Sequence, residues 1–271
     1  MAPTLSDIQQ LADTLFPFEC EEPWDNSGIQ IGNLSRSINA MAFSLNASID
    51  AVCFAAENSC DLLVSHHPLL MKPIKKILAS DIAGRTIFTA VRSGVDILSL
   101  HTNLDAAEGG LNDYLANALD LLDIQTPTNA PCSRLGRLSK PETLSSLSHK
   151  LRRIFNLDSA RVVGRMDKSV FTVFLVSGSG MGYLQEAISA EADVLITGDV
   201  RYHGALESQE SKICVIDAGH FGLEKFVIKL MQKKFEAEFS RLGWKIRLCP
   251  FEAEKDPFTD IRFEERGGII N

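Results

Sequence analysis

Asp61-Leu62-Leu63-Val64-Ser65-His66-His67-Pro68 is the stretch whose reading sets the fold class. Its apolar run Leu62-Leu63-Val64 reads as a buried strand. Pro68 lacks the N–H a sheet ladder needs and biases its predecessor away from helix, so the chain turns there. Two imidazoles therefore arrive side by side at a strand end, the place where open α/β sheets build their sites. Neighbouring residues on extended chain point to opposite sides, so His66 and His67 suit two ions a few ångströms apart better than one shared ion. The competing reading is a surface turn with a spare imidazole; against it stands the fact that neutral imidazole is the commonest metal ligand.

Working outward, residues 6–16 predict a helix with Ile8, Leu11 and Leu15 on one face and Pro17 at its end. The loop Pro23-Trp24-Asp25-Asn26-Ser27-Gly28 runs into a short strand; Trp24 reads as a packing residue, Asp25 and Asn26 as turn formers. Residues 38–45 predict a strand and 48–57 a helix. Beyond the His pair, a helix over 81–93 is capped by Gly94, and 95–100 forms the next buried strand. Such alternation argues for a mostly parallel sheet covered by helices. The strand over 95–100 ends in Leu100-His101-Thr102-Asn103-Leu104-Asp105, with a helix following through Ala118. A second His and a carboxylate are thus delivered to the same sheet edge. Asp105 is either a site residue or a helix N-cap, and His101 either a site residue or a satisfied core histidine.

Residues 125–134, with Pro127 and Pro131, read as a linker. A helix is expected from Pro141 to 155, its Leu144, Leu147, Leu151 and Ile154 at helical spacing. The strand over 170–176 opens into Ser177-Gly178-Ser179-Gly180-Met181-Gly182. A glycine-rich strand-to-helix turn can cradle phosphate, but the spacing is G-x-G-x-G, and a tight turn with close packing is the stronger alternative. Asp199, 21 residues past Gly178, keeps a nucleotide reading open. Residues 55–65 align with 187–197 at a shift of 132, and the same shift superposes the strand ends at Leu45 and Ser177. Two related α/β lobes around one cleft follow from that register, with His66 and His67 falling on Gly198 and Asp199. The second lobe closes with Gly219-His220-Phe221-Gly222-Leu223-Glu224. A helix starting near His220 places Glu224 one turn on and on the same face, either as a site pair or as ordinary helix-end electrostatics. Residues 244–271 read as closing strands and a tail.

The 271 residues suffice for a large core, and 27 basic against 35 acidic residues give a net charge of −8. Without a basic stripe, no nucleic-acid partner is expected, and no apolar run approaches the ~18 residues of a membrane span. The six scattered cysteines fit a reduced, cytoplasmic setting rather than a sulfur-bound structural zinc.

Taken together, Trp24-Asp25-Asn26-Ser27-Gly28, Ser65-His66-His67-Pro68, His101-Thr102-Asn103-Leu104-Asp105, Ser177-Gly178-Ser179-Gly180, Thr197-Gly198-Asp199 and Gly219-His220 with Glu224 resemble the GTP cyclohydrolase I type 2 homologue family, the NGG-one-interacting-factor-three-like proteins. The resemblance spans residues 24–224. It implies two pseudo-symmetric α/β lobes, 1–124 and 125–271, with mostly parallel sheets flanked by helices and a metal cleft between them. It implies the short form without an inserted domain, and a toroidal homohexamer built as a trimer of dimers. It implies a dinuclear centre of two divalent transition-metal ions per chain, with His66, His67, Asp105, His220 and Glu224 as ligands.

Mixed nitrogen and oxygen ligands suit zinc, iron, manganese or cobalt alike. In the cyclohydrolase reading a metal-activated hydroxide attacks the guanine ring of GTP and formate leaves, with Asp105 as bridging carboxylate and His101 and His203 moving protons. Both histidines have a supporting or structural alternative. Lys72, Lys75, Lys76 and Arg201 are the cations available to a nucleotide or other small-molecule substrate. A metal-dependent phosphoesterase and a non-catalytic hexameric scaffold are the rival functions, since fold carries metal better than it carries reaction.

Overall fold

The structure, a computed structural model, describes residues 2–259, so the expected tail beyond 259 lies outside the described residues. In chain order the elements are α1 (Leu5–Leu15), β1 (Gly28–Ile31), β2 (Ala40–Asn46), α2 (Ile49–Glu57), β3 (Leu62–His67), α3 (Ile82–Ser93) and β4 (Asp96–Ser99). They continue with α4 (Thr102–Ala106), α5 (Leu111–Ala118), β5 (Leu122–Gln125), β6 (Arg134–Thr143), α6 (Leu144–Phe155), β7 (Arg161–Val163), β8 (Ser169–Leu175) and α7 (Leu184–Ser189). The last are β9 (Val194–Thr197), α8 (Tyr202–Glu210), β10 (Cys214–Asp217), α9 (His220–Glu224), α10 (Val227–Leu242) and β11 (Arg247–Pro250).

Two sheets form, in the orders β1-β4-β3-β2-β11 and β5-β6-β8-β9-β10-β7. Each is centred on a parallel trio, β4-β3-β2 in one and β10-β9-β8 in the other, with an antiparallel strand, β1 or β7, outside β4 and β10 respectively. The expected pair of related α/β lobes is therefore present. Side chains alternate across a strand, and the alternation sorts them into layers. Met41, Phe43, Leu62, Val64 and Leu98 face a central core together with Val173, Leu175, Val194, Ile196 and Ile216 of the other sheet. The intervening positions, Ala40, Ala42, Leu63 and Ile97 in one sheet and Phe174, Leu195 and Val215 in the other, face outer helices. The central layer is supplied by α1, α5, α6 and α10, through Ile8, Leu115, Leu151 and Phe235 among others.

Most expected elements form within a residue or two of their expected limits. The helix expected from Pro141 does not start there: β6 runs through Pro141, and Thr143 caps the helix with its side chain on the Ser146 N–H at 3.1 Å. Proline is tolerated because it sits where the β6–β8 register is already broken, between Arg137 and Glu142. The sequence segments also interlock across the sheets. β5 ends at Gln125, yet it pairs with β6 of the second sheet, whereas β11 returns to lie parallel to β2 of the first.

Arg134 ties these layers together. It is 1% exposed, pairs with Asp113, and donates to the carbonyls of Ala106, Ala107, Pro131 and Ser133 at 3.0, 3.0, 3.1 and 2.7 Å. The chain from α4 into α5 is thereby held against the start of β6. Removing a buried, fully hydrogen-bonded cation leaves its acceptors unpaired, so Arg134→Met is expected to cost about 3–5 kcal/mol. Chemical denaturation checks this through a lowered midpoint at unchanged slope.

Candidate metal centre

Parallel strands deliver their carboxyl ends to one edge, and here the edges of both sheets meet. β3 carries the His pair as its last two residues, two beyond the strand end expected at Ser65, and is flanked by β2, where Asn46 lies opposite His67. β4 leads into His101 and α4 with Asp105; β10 leads into α9 with His220 and Glu224. Four imidazoles converge. Each has its Nδ1 held at 2.8 Å by an acceptor outside the convergence point: His66 by the Leu100 carbonyl, His67 by Asn46 Oδ1, His101 by Asp25 Oδ1 and His220 by Asp199 Oδ2. Anchoring Nδ1 fixes the ring and leaves Nε2 for the centre, the arrangement that metal-ligating histidines show.

What the Nε2 atoms meet is a carboxylate. Glu224 Oε2 lies 2.9 Å from His67 Nε2 and 2.8 Å from His220 Nε2, and these two nitrogens are themselves 3.3 Å apart. Glu224 Oε1 is 3.8 Å from His66 Nε2, and Asp105 Oδ1 is at the same 3.8 Å from that nitrogen. Ser177 from the second sheet donates to Asp105 Oδ1 at 3.2 Å. The ligand atoms of His67, His220 and Glu224 lie within 4.8 Å of one another, as do those of His66, His67 and His101. His66 Nε2 and Glu224 Oε2 are buried without a hydrogen-bond partner. Lone pairs facing lone pairs at these distances need a proton or a metal ion between them, and both groups of side chains could hold a metal ion.

Without a metal, protons fill that role. Burial works against a charged His66, but Asp105 and Glu224 outweigh it and push its pKa up to about 9. Burial is likewise overcome at His220 by Glu224 and Asp199, again to about 9. At His67 burial and the neighbouring imidazoles win over Glu224, and the pKa falls. Burial alone would raise the Glu224 carboxyl, yet the three imidazoles around it hold it well below the usual range.

The glycine turn closes on this centre. Gly178 has φ +61°, and a Cβ there would come within 2.3 Å of Glu224 Oε1; a Cβ at Gly198 would lie 2.5 Å from the His220 nitrogen. Close approach, rather than a phosphate cradle, is what these glycines provide. Asp199 itself adopts φ 54°, uncommon without a glycine, to reach His220.

All five expected ligand residues and His101 are thus brought together. His203 is not: it is exposed at the start of α8, its ring edge-on to Tyr202 at 5.4 Å, and no ring contact of the cluster includes it. Trp24, expected to pack, is 59% exposed and stands edge-on to His101 at 5.9 Å. Asn46, Asp25 and Asp199 acquire roles as imidazole anchors that the sequence had not shown. Asn46 carried no signal, since only strand register puts it beside His67.

The chain is similar to known proteins in sequence and in fold. The sequence model of Duf34/NIF3 (NGG1p interacting factor 3) matches residues 3–257. A "GTP cyclohydrolase 1 type 2 homolog" of Clostridium acetobutylicum is 30% identical, over 95% of this chain and 99% of its own length. One of the same description from Streptococcus pneumoniae is 29% identical, over 94% and 99%. Among solved structures, the Staphylococcus aureus hypothetical protein SA1388 superposes with a TM-score of 0.89 at 22% identity, covering 96% of this chain and 100% of that one. TTHA1606 from Thermus thermophilus gives 0.78 at 24%, covering 94% and 100%. At those identities the structures speak for the fold alone. No helix among the described residues is long and apolar enough to cross a membrane.

Metal uptake must displace the protons on His66 and His220. At fixed free metal, occupancy is expected to rise from pH 6.5 towards about 9, with proton release measurable by calorimetry in buffers of different ionisation heat. In metal-free protein, the protonated pair contributes stability that is complete below the ordinary imidazole value of 6.5 and lost as pH rises through about 9. The melting temperature of the metal-free form should therefore fall over that window.

Proposed function

The chain belongs to the Duf34/NIF3 (NGG1p interacting factor 3) family, and from that premise we propose that it is a hydrolase with a two-ion centre acting on a nucleotide, GTP being the substrate named in the relatives' description. His66, His67, Asp105, His220 and Glu224 are its proposed ligands. The observation that carries the reading is the set of Nδ1-anchored imidazoles whose Nε2 atoms converge on a buried carboxylate, with His66 Nε2 and Glu224 Oε2 left without hydrogen-bond partners. Glu224 reaches His66 with one oxygen and His67 and His220 with the other, so it would hold metal together with Asp105, the carboxylate expected to bridge. Asp105 serves the His66 side, steadied by Ser177.

A bound pair of divalent ions would supply Lewis acidity and a water acidified to a pKa of about 7. The chain's own residues do the rest. His101, with Nδ1 committed to Asp25, keeps its other ring nitrogen for a proton at the cleft. With His203 exposed and outside the cluster, that role rests on His101 alone. Lys72, Lys75 and Lys76, exposed on the loop that leaves β3, fit a phosphate-bearing substrate. The assembly we propose is the homohexamer, a trimer of dimers; light scattering that returns a stable monomer would exclude it.

The testing experiment joins metal analysis to a turnover assay. Wild type is expected to hold about two ions per chain, as two-metal sites do, and to release formate from GTP. His67→Ala should lose metal and turnover together. His101→Ala should keep its metal and lose about 10²–10⁴-fold in rate. Phosphate released in place of formate would point to a phosphoesterase, and a metal-loaded but silent protein to a scaffold.

A further inference from the structure

The loop before β1 carries a carboxylate that the chemistry above uses only as an anchor. Asp25 has a side chain with no exposure, although it lies in irregular chain. Five donors surround it. His101 Nδ1 at 2.8 Å and the Asn26 N–H at 2.7 Å approach Oδ1. The Thr102 N–H at 3.0 Å, the Thr102 hydroxyl and the Ser27 hydroxyl at 3.3 Å approach Oδ2. Burial by itself would raise this carboxyl's pKa, but the hydrogen bonds from His101, Thr102 and Asn26 hold it well below the usual range. A carboxylate so supplied is ionised and can only accept. Whatever faces it must donate, and at His101 that is Nδ1–H.

One consequence reaches the centre. A neutral imidazole protonated on Nδ1 has its lone pair on Nε2. The His101 ring stands edge-on to His66 and His67, with centroids 5.2 and 5.5 Å away, and one of its ring nitrogens lies within 4.8 Å of a ring nitrogen of each. The second lobe repeats the device. His220 and Glu224 are spaced like His101 and Asp105, and Asp199 holds the His220 Nδ1 at 2.8 Å. There Asp199 is 47% exposed, whereas Asp25 is sealed in by the loop and the start of α4.

We propose that Asp25 is a positioning residue that locks His101 as the Nδ1–H tautomer and aims its Nε2 lone pair into the cleft. What the lone pair then does rests on the hydrolase reading; its placement does not. The structural alternative is that Asp25 only pins the loop to Thr102, in which case the state of the His101 ring would not depend on it.

Two-bond proton–nitrogen correlation on protein labelled with nitrogen-15 in its histidine rings distinguishes these, because protonated and bare ring nitrogens resonate far apart. The spectrum is recorded on the intact assembly, metal-free and zinc-loaded, with His101 assigned by its absence in His101→Gln. Wild type is expected to show His101 protonated on Nδ1. In Asp25→Asn the amide presents an N–H in place of one acceptor oxygen, and the Nδ1–H form should give way to a mixture with Nε2–H. Asp25→Glu keeps a carboxylate and should restore the wild-type pattern. Zinc content should stay at the wild-type level, and kcat on GTP should drop about 10²–10⁴-fold with KM little changed. A wild-type His101 protonated on Nε2 overturns the proposal, as does a tautomer unaltered in Asp25→Asn. Should Asp25→Asn fail to fold, the wild-type spectrum and Asp25→Glu still decide it. A protein that holds no zinc and turns over nothing would sink the hydrolase reading while leaving the tautomer measurement intact.

Discussion

A carboxylate buried to 2% exposure among three imidazoles is the constraint on which the rest of this structure depends. An isolated buried carboxylate is strongly disfavoured, so Glu224 must be matched by protons or by metal ions. Its neighbours are prepared for that demand. His66, His67 and His220 each commit Nδ1 to a fixed acceptor, so none can turn its ring away. The cost of ordering them is met by the surrounding fold, since those acceptors come from three places: the end of β4, the end of β2 and the turn after β9.

The same constraint explains why two similar lobes make one asymmetric site. Both have a parallel trio of strands and a short helix that places an acid four residues after a histidine, His101 with Asp105 and His220 with Glu224. In the first lobe the next strand end supplies imidazoles, His66 and His67. In the second, the matching positions are Gly198 and Asp199. A side chain at Gly198 would strike the backbone at His220, so the second lobe gives space where the first gives ligands. Across the cleft the lobes are joined by more than the centre: Asn112 of α5 accepts from the Ser177 N–H at 2.8 Å, and Tyr183 donates to Glu22. The central core is shared as well, with α10 packed on β2, β3 and β11.

Much of the site was legible because strand ends punctuate a sequence clearly. Apolar runs that stop at His-His-Pro, or at His followed by an acid four residues later, show where parallel strands deliver polar groups. Other residues were opaque for definite reasons. Asp25 looked like a turn former, since its partners, His101 and Thr102, are 76 and 77 residues away. His203 looked close to Asp199 in sequence, but α8 begins at Tyr202 and leaves it exposed. The helix expected from Pro141 began three residues later, because pairing of β6 with β8 overrode a locally acceptable helix start.

By itself the sequence determined the α/β alternation, the duplicated lobes and the strand ends that carry histidines, while the set of ligands came only from the family resemblance. These are local properties: hydrophobic period, turn chemistry and residue spacing are written in neighbouring residues. Only the tertiary structure decided that Glu224 rather than Asp105 stands between the imidazoles, that Asn46, Asp25 and Asp199 hold the rings, and that β11 closes the first sheet. Those outcomes depend on strand register and on contacts across tens to hundreds of residues, and neither leaves a trace in the order of residues along the chain.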